Sequence, residues 1–222
     1  MIRLRTIAKQ ILVTFGIVIL MTISALVSSV RADSAGISAP LSISDDAYLT
    51  GVFQLDRHLN GFDQPLVSTG NFTLSPKDGL LWENQEPFPD TTVMTDRGIT
   101  RVLDDGSTEV IASGAQFHQF IALISAVLAG NWDALSAHFT LAEMPPETGE
   151  TNASWHVKLV PLAGLPIADQ IIEITAYGDQ FVEHVTITKP SGDYDDITLG
   201  NQAKASLPLP GDIAALLSGQ AQ

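Results

Sequence analysis

The sequence predicts an α+β domain, with helices against one side of a largely antiparallel sheet. Three observations lead there. Turn signals recur about every eight to twelve residues between Leu49 and Ile111. The apolar period changes from strand-like to helical near Ala115. Strand-like segments then resume at Trp155. Strands, helices, strands is the order of an α+β chain, not of one that alternates strand and helix throughout.

Each element follows from its local pattern. Phe53, Leu55 and Leu59 alternate with Gln54, Asp56 and His58. Phe72 and Leu74 flank Thr73, and Leu80-Leu81-Trp82 follows the turn Pro76-Lys77-Asp78-Gly79. The β-rich run Thr91 to Thr95 ends at Asp96-Arg97-Gly98, and Ile99 to Leu103 leads through Asp104-Asp105-Gly106, a hairpin signal, into Thr108 to Ile111. Phe117, Phe120, Ile121, Ile124 and Leu128 fall on one helical face, widened by Leu123 and Val127. Gly130 stops that helix, and Asn131 caps a second one expected over Trp132 to Phe139. The loop 145–149 closes the helical section. Strands return at Trp155, Val157 and Leu159, at Ile172, Ile174 and Ala176, at Phe181 to Ile187, and at Ile197 to Leu199. In the tail, Pro208 and Pro210 break the chain before a short helix from Ile213 to Leu217.

The first 32 residues are of another material. Arg3, Arg5 and Lys9 form a basic head, residues 10 to 30 carry no charge, and Val30-Arg31-Ala32 offers a small-x-small exit. This is the layout of a secretory signal peptide, 1–32, cut before Asp33. An uncleaved anchor is the alternative, because about 20 apolar residues span a bilayer as a helix. Either form exports the remainder. A polar linker over 33–48 then precedes a single domain, 49–222.

Composition removes several function classes. The chain of 222 residues has a formal charge of −14 and no cysteine. Beyond residue 32 lie all 25 acidic side chains and seven of the 11 basic ones. Nucleic acid is therefore an improbable partner, since that interaction rests on neutralising phosphates with Lys and Arg. Disulfides, thiolate metal sites and cysteine nucleophiles are excluded outright. The five histidines (His58, His118, His138, His156, His184) show no metal-ligand spacing, and three stand on strands opposite the apolar face, where solvation is expected. There is no nucleophile elbow and no phosphate-binding glycine loop. Asp193-Tyr194-Asp195-Asp196 lacks the glycine and terminal glutamate of a calcium loop and reads as a solvated turn. The sequons at Asn71 and Asn152 decide nothing without a known host. No enzymatic chemistry, cofactor or metal is expected. What remains is a sheet and a helix, each with a broad apolar face. They either pack together as a core or stand apart around a pocket.

Several stretches resemble the LolA-like outer-membrane lipoprotein carriers, in their divergent branch. They are Gly51-Val52-Phe53-Gln54 with Leu59, Gly61 and Phe62; Pro65 to Phe72; Gly79-Leu80-Leu81-Trp82 through Pro87-Phe88-Pro89; and Val93-Met94-Thr95 before Gly98-Ile99. The segment from Gly130-Asn131-Trp132 to Phe139 and the strand Trp155 to Pro161 are similar to the family's later parts. The resemblance spans about residues 49 to 199.

That resemblance implies an incomplete, curved antiparallel β-barrel with helices as a lid over an apolar cavity. It implies a monomeric periplasmic carrier that shuttles acylated lipoproteins, or related acyl lipids, from an inner-membrane ABC exporter to an outer-membrane acceptor. The alternative is an envelope protein-interaction module without lipid cargo. The candidate cavity residues are Phe53, Leu55, Phe72, Leu74, Leu80, Trp82 and Val93 from the sheet, with Phe117, Phe120, Ile121, Ile124 and Leu128 from the lid. For each, plain core packing is the competing reading. One departure stands out: the register at which the family carries a lid-latching arginine falls on Pro76, beside Lys77, and lysine lacks arginine's planar fork of donors.

Overall fold

In the computed structural model the described residues are 42–103, 105–113, 115–145 and 153–219, with backbone only at 115–121. The expected leader, most of the linker, Asp104, the loop beyond Pro145, the sequon at Asn152 and the side chains of Phe117, His118, Phe120 and Ile121 lie outside them. The strands are β1 (Ala47–His58), β2 (Leu66–Ser75), β3 (Gly79–Glu86), β4 (Asp90–Thr95), β5 (Gly98–Leu103), β6 (Thr108–Ala112), β7 (Phe139–Glu143), β8 (Trp155–Pro161), β9 (Glu173–Gly178), β10 (Val182–Thr188) and β11 (Tyr194–Ser206). The helices are α1 (Ala115–Leu128), α2 (Trp132–Leu135) and α3 (Gly211–Ser218), with a 3-10 turn at Pro166–Asp169.

All 11 strands join one sheet, in the order β6-β5-β4-β3-β2-β1-β11-β10-β9-β8-β7, and every pairing is antiparallel. The chain makes two meanders that meet where β1 pairs with β11, matching Phe53 to Leu199 and Arg57 to Asp195. The sheet is not closed: β6 and β7 are its two edges. Residues from both meanders, Leu80 and Met94 on one side and Ile174 and Phe139 on the other, face one hollow together with α1. A flat sheet could not do this, so the sheet curves around that space.

Antiparallel alternation fixes which connections share an end. The β1–β2 loop, the β3–β4 turn, the β8–β9 connection and the β10–β11 turn all lie at the end where His58 pairs with Tyr194. The chain enters β1 at the other end, where the Ile43 N–H donates to the Ala129 carbonyl.

Residue chemistry accounts for the helical section. Gly130 takes a left-handed conformation (φ 66°) that ends the preceding helix, a geometry that favours glycine because it has no Cβ. The Asn131 side chain accepts from the Ala134 N–H at 3.2 Å, capping α2. The helix is shorter than expected: Ser136 terminates it, and Phe139 opens β7 instead of closing the helix. Two further expectations are corrected on the strands. The acidic run Tyr194-Asp195-Asp196 is the start of the 13-residue strand β11, not a solvated turn. His156 is 4 % exposed and packs edge-on against Tyr177, so it is buried where solvation was expected.

The main core gathers Leu49, Phe53, Phe72, Leu74 and Leu80 from the first meander with Val157, Leu159, Ile174 and Val185 from the second. Leu123, Val127 and Leu128 of α1, with Trp132 and Leu135 of α2, close it. A smaller cluster, Leu81, Val93 and Leu217, lies on the opposite face of β3 and β4, beneath α3. Arg97 holds α3 there by donating from Nη2 to the Leu217 carbonyl at 2.6 Å.

Candidate functional site: an apolar hollow with a polar mouth

Between the sheet and α1 lies a hollow of ≈ 850 Å³. This is within the roughly 300–1,000 Å³ range of pockets that bury a small-molecule ligand. Its deeper wall is apolar: Leu80, Trp82 and Met94 from β3 and β4, Leu55 and Ile197 from β1 and β11, and Val185 and Ile187 from β10. Ile124, Leu123, Val127 and Leu128 of α1 face them. Ile167 and Ile171, from the β8–β9 connection, complete one side.

The period of two along each strand grades this wall from greasy to polar. Two residues beyond Leu55 stands Arg57; two before Ile197 stands Asp195; two beyond Ile187 stands Lys189; and two beyond Trp82 stands Asn84. All four polar residues line the hollow at the connection-rich end of the sheet. The mouth is therefore a rung of polar side chains above rungs of aliphatic and aromatic ones.

Asp195 organises that rung. Although only 8 % exposed, it accepts from Arg57 Nε at 2.9 Å and Arg57 Nη2 at 3.4 Å, and from Lys189 Nζ at 2.7 Å. Burial, the largest single influence, pushes its carboxyl up. The hydrogen bonds and charges of Arg57 and Lys189 together outweigh it and hold the carboxyl below the ordinary carboxylate range. Across the mouth, Asn84 donates to Asp90, whose other oxygen stands 3.1 Å from Arg101 Nε. Phe88, 81 % exposed, and Pro87 form the lip on the β3–β4 turn.

The twelve candidates from sequence separate into groups. Leu55, Leu80, Trp82, Ile124 and Leu128 line the hollow. Phe53, Phe72 and Leu74 are buried in the core around it, with the Phe53 ring stacked on Trp82. Val93 must be corrected. Leu80 pairs with Met94 and Leu81 with Val93, so Met94 faces the hollow while Val93 packs under α3. The side chains of Phe117, Phe120 and Ile121 lie outside the described residues. Pro76 and Lys77 sit on the β2–β3 turn, at the end of the sheet away from the mouth; Lys77 is exposed beside α3.

Of the three charged residues at the mouth only Asp195 was noted in sequence, and there as part of a solvated turn. Arg57 and Asp195 are 138 positions apart, and only the β1–β11 register brings them together. Among the described residues no group of His, Cys, Asp and Glu is placed to hold a metal ion. Among them, too, no helix is long and apolar enough to cross a membrane.

The unclosed antiparallel sheet curved about an apolar hollow, with helices over it, is the fold expected from sequence. No protein-family profile matches the chain, and no curated protein matches it. Solved structures similar to it include a LolA superfamily protein from Nitrosomonas europaea (TM-score 0.41, 8 % identity, covering 78 % of this chain and 91 % of that one). An outer membrane lipoprotein-sorting protein domain from Vibrio parahaemolyticus gives 0.38 and 6 %, covering 77 % and 91 %. A DUF1329 family protein from Desulfovibrio piger gives 0.42 and 12 %, covering 82 % and 93 %. At these scores the reading of the site rests on its own geometry.

Proposed function

We propose that this protein is a carrier that takes an acyl chain, of a lipoprotein or a related acyl lipid, into the hollow and passes it on. The observation that carries the reading is the graded wall: an apolar space of ≈ 850 Å³ whose lining turns polar at one end only. That is the negative image of an amphiphile. A buried chain gains about 0.8 kcal/mol per CH₂, so about fourteen carbons gain on the order of 10 kcal/mol. A transporter must also release such a chain, and two features favour release. The hollow is open at the mouth, and its cover is a helix held by side-chain contacts, which give way as cargo enters or leaves. The protein acts by binding and not by catalysis.

The N-terminal sequence, with its basic head, uncharged run and small-x-small exit, supports work in the periplasm. The cargo would be received there from an inner-membrane ABC exporter and delivered to an outer-membrane acceptor, by a monomeric carrier. Native mass spectrometry of the protein purified from its own envelope tests the reading. Co-purified acyl species are expected. Protein free of them that also fails to bind an added lipopeptide would reject the carrier role and leave a protein-interaction module.

A further inference from the structure

The polar rung at the mouth is more than a neutral border. Seven basic side chains follow residue 32 against 25 acidic ones, yet two of those seven, Arg57 and Lys189, converge on a single carboxylate in the wall of the hollow. Asp90, on the far side, already faces its own cation, Arg101. Within Arg57, Lys189 and Asp195 the cations outnumber the carboxylate by one; Asp193, in the β10–β11 turn, also acts on both cations, while it accepts from the Asn60 N–H at 2.8 Å and the Ser191 hydroxyl at 2.8 Å. Glu86 and Asp169 also stand on the rim, but both are exposed, where water and salt screen them. A guanidinium has five N–H donors and an ammonium three. Asp195 occupies some of them, and the side chains stay 47 % and 31 % exposed, so the remaining donors are open to a ligand. Asp195 fixes the two cations in position before any ligand arrives, which lowers the ordering cost of binding.

We infer that the Arg57–Lys189 pair is the seat of an anionic group, a carboxylate or a phosphate, on the amphiphile whose chain fills the hollow. The inference rests on the carrier reading and names the polar chemistry of the same site. Strand geometry supports it. Leu55 and Ile197 stand two residues along β1 and β11 from Arg57 and Asp195, and Ile187 stands two before Lys189, which opens the turn after β10, so a chain leaving the seat passes at once onto aliphatic wall. Charge-assisted hydrogen bonds are roughly twice as strong as neutral ones, and a partly enclosed mouth weakens them less than open water does.

The test uses the exported chain without its leader and four amphiphiles with the same dodecyl tail: a carboxylate, a monoalkyl phosphate, an uncharged maltoside and a trimethylammonium. Displacement of a fluorescent apolar probe reads their affinities. The carboxylate, the phosphate or both should bind at least tenfold tighter than the maltoside, and the trimethylammonium more weakly than the maltoside. Which anion leads distinguishes a fatty-acid-like group from a phosphate headgroup. The advantage should shrink with added salt and fall severalfold in Lys189→Gln, which leaves the Arg57–Asp195 pair in place. Any change in maltoside affinity in that variant should be smaller than the loss for the anions. Equal affinity for all four heads, or an anion advantage unchanged in Lys189→Gln, would overturn the inference while leaving the carrier reading intact. Failure of every amphiphile to bind, the maltoside included, would overturn both.

Discussion

The rings of Phe53 and Trp82 stack with centroids 3.7 Å apart and planes inclined by 24°, so that one side of the indole is covered by β1 while the residue lines the hollow. Trp82 is therefore a held reporter. Added lipopeptide should shift its emission to the blue as water leaves the open side. Trp132 and Trp155 are buried away from the hollow's wall and pack against each other, so Trp82→Phe should abolish most of the shift. An unchanged spectrum during demonstrated binding would remove Trp82 from the cargo path.

Val185 lines the hollow from β10 and is 3 % exposed. Val185→Phe directs a larger ring into existing space, so the usual strain of overpacking, about 1–3 kcal/mol, should be small here. Affinity for long-chain amphiphiles should fall about tenfold with the thermal midpoint nearly unchanged. Titrations of the variant and the parent, alongside melting curves, check both halves of this expectation.

Gly70 is a packing requirement of the β2–β3 pair. A Cβ there would collide with the Glu83 carbonyl, which is backbone and cannot swing aside. Gly70→Ala should cost about 2–3 kcal/mol, at the upper end of overpacking effects. Urea midpoints would show it, and a variant as stable as the parent would mean that the ladder relaxes freely at the Thr69/Gly70 irregularity.

Asp195 makes stability acid-sensitive. Its folded carboxyl lies below the ordinary value because two cations outweigh burial. Its contribution is thus complete above the unfolded value of about 3.9 and fades as pH falls toward the folded one. Asp195→Asn should be destabilised by about 1–2 kcal/mol near neutrality. The gap from the parent should close in acid. Denaturation midpoints measured down to about pH 3 would follow that convergence.

Glu83 works in the opposite sense. Burial first, and the charge of Asp212 on α3 second, raise its carboxyl above the ordinary value. The folded state then holds that proton more tightly than the unfolded chain. Stability is lost as pH rises from the unfolded value through the raised one. Glu83→Gln should gain about 0.5 kcal/mol at neutral pH, discounted for partial exposure, and nothing in acid. Paired thermal melts at the two pH values would reveal it.

Much of the architecture was legible because it is local. Turns such as Asp96-Arg97-Gly98 and the spacing of Ile124 and Leu128 declare themselves within a few residues, and such local signals gave every described strand but β7, and the long helix, their places. Asn131 was readable as a cap for the same reason. Parity was harder. In Val93-Met94 two apolar neighbours face opposite sides, and a second apolar cluster under α3 leaves no polar face to mark the outside. The mouth was illegible for another cause. Arg57, Lys189 and Asp195 carry no shared motif, and three strands must be in register before they touch. Phe139 was misplaced in a helix because β7 is five residues long and follows Ser136 almost at once.

The edge strands β6 and β7 share no ladder, and the chain that joins them carries α1 and α2. Spreading this seam breaks no interstrand hydrogen bond. Among the described residues it gives up dispersion contacts, each about 0.1–0.2 kcal/mol, which yield one by one. On the carrier reading, such a seam lets the shell widen in small steps, so that tails of unequal thickness would be met by the same strands without unfolding any of them.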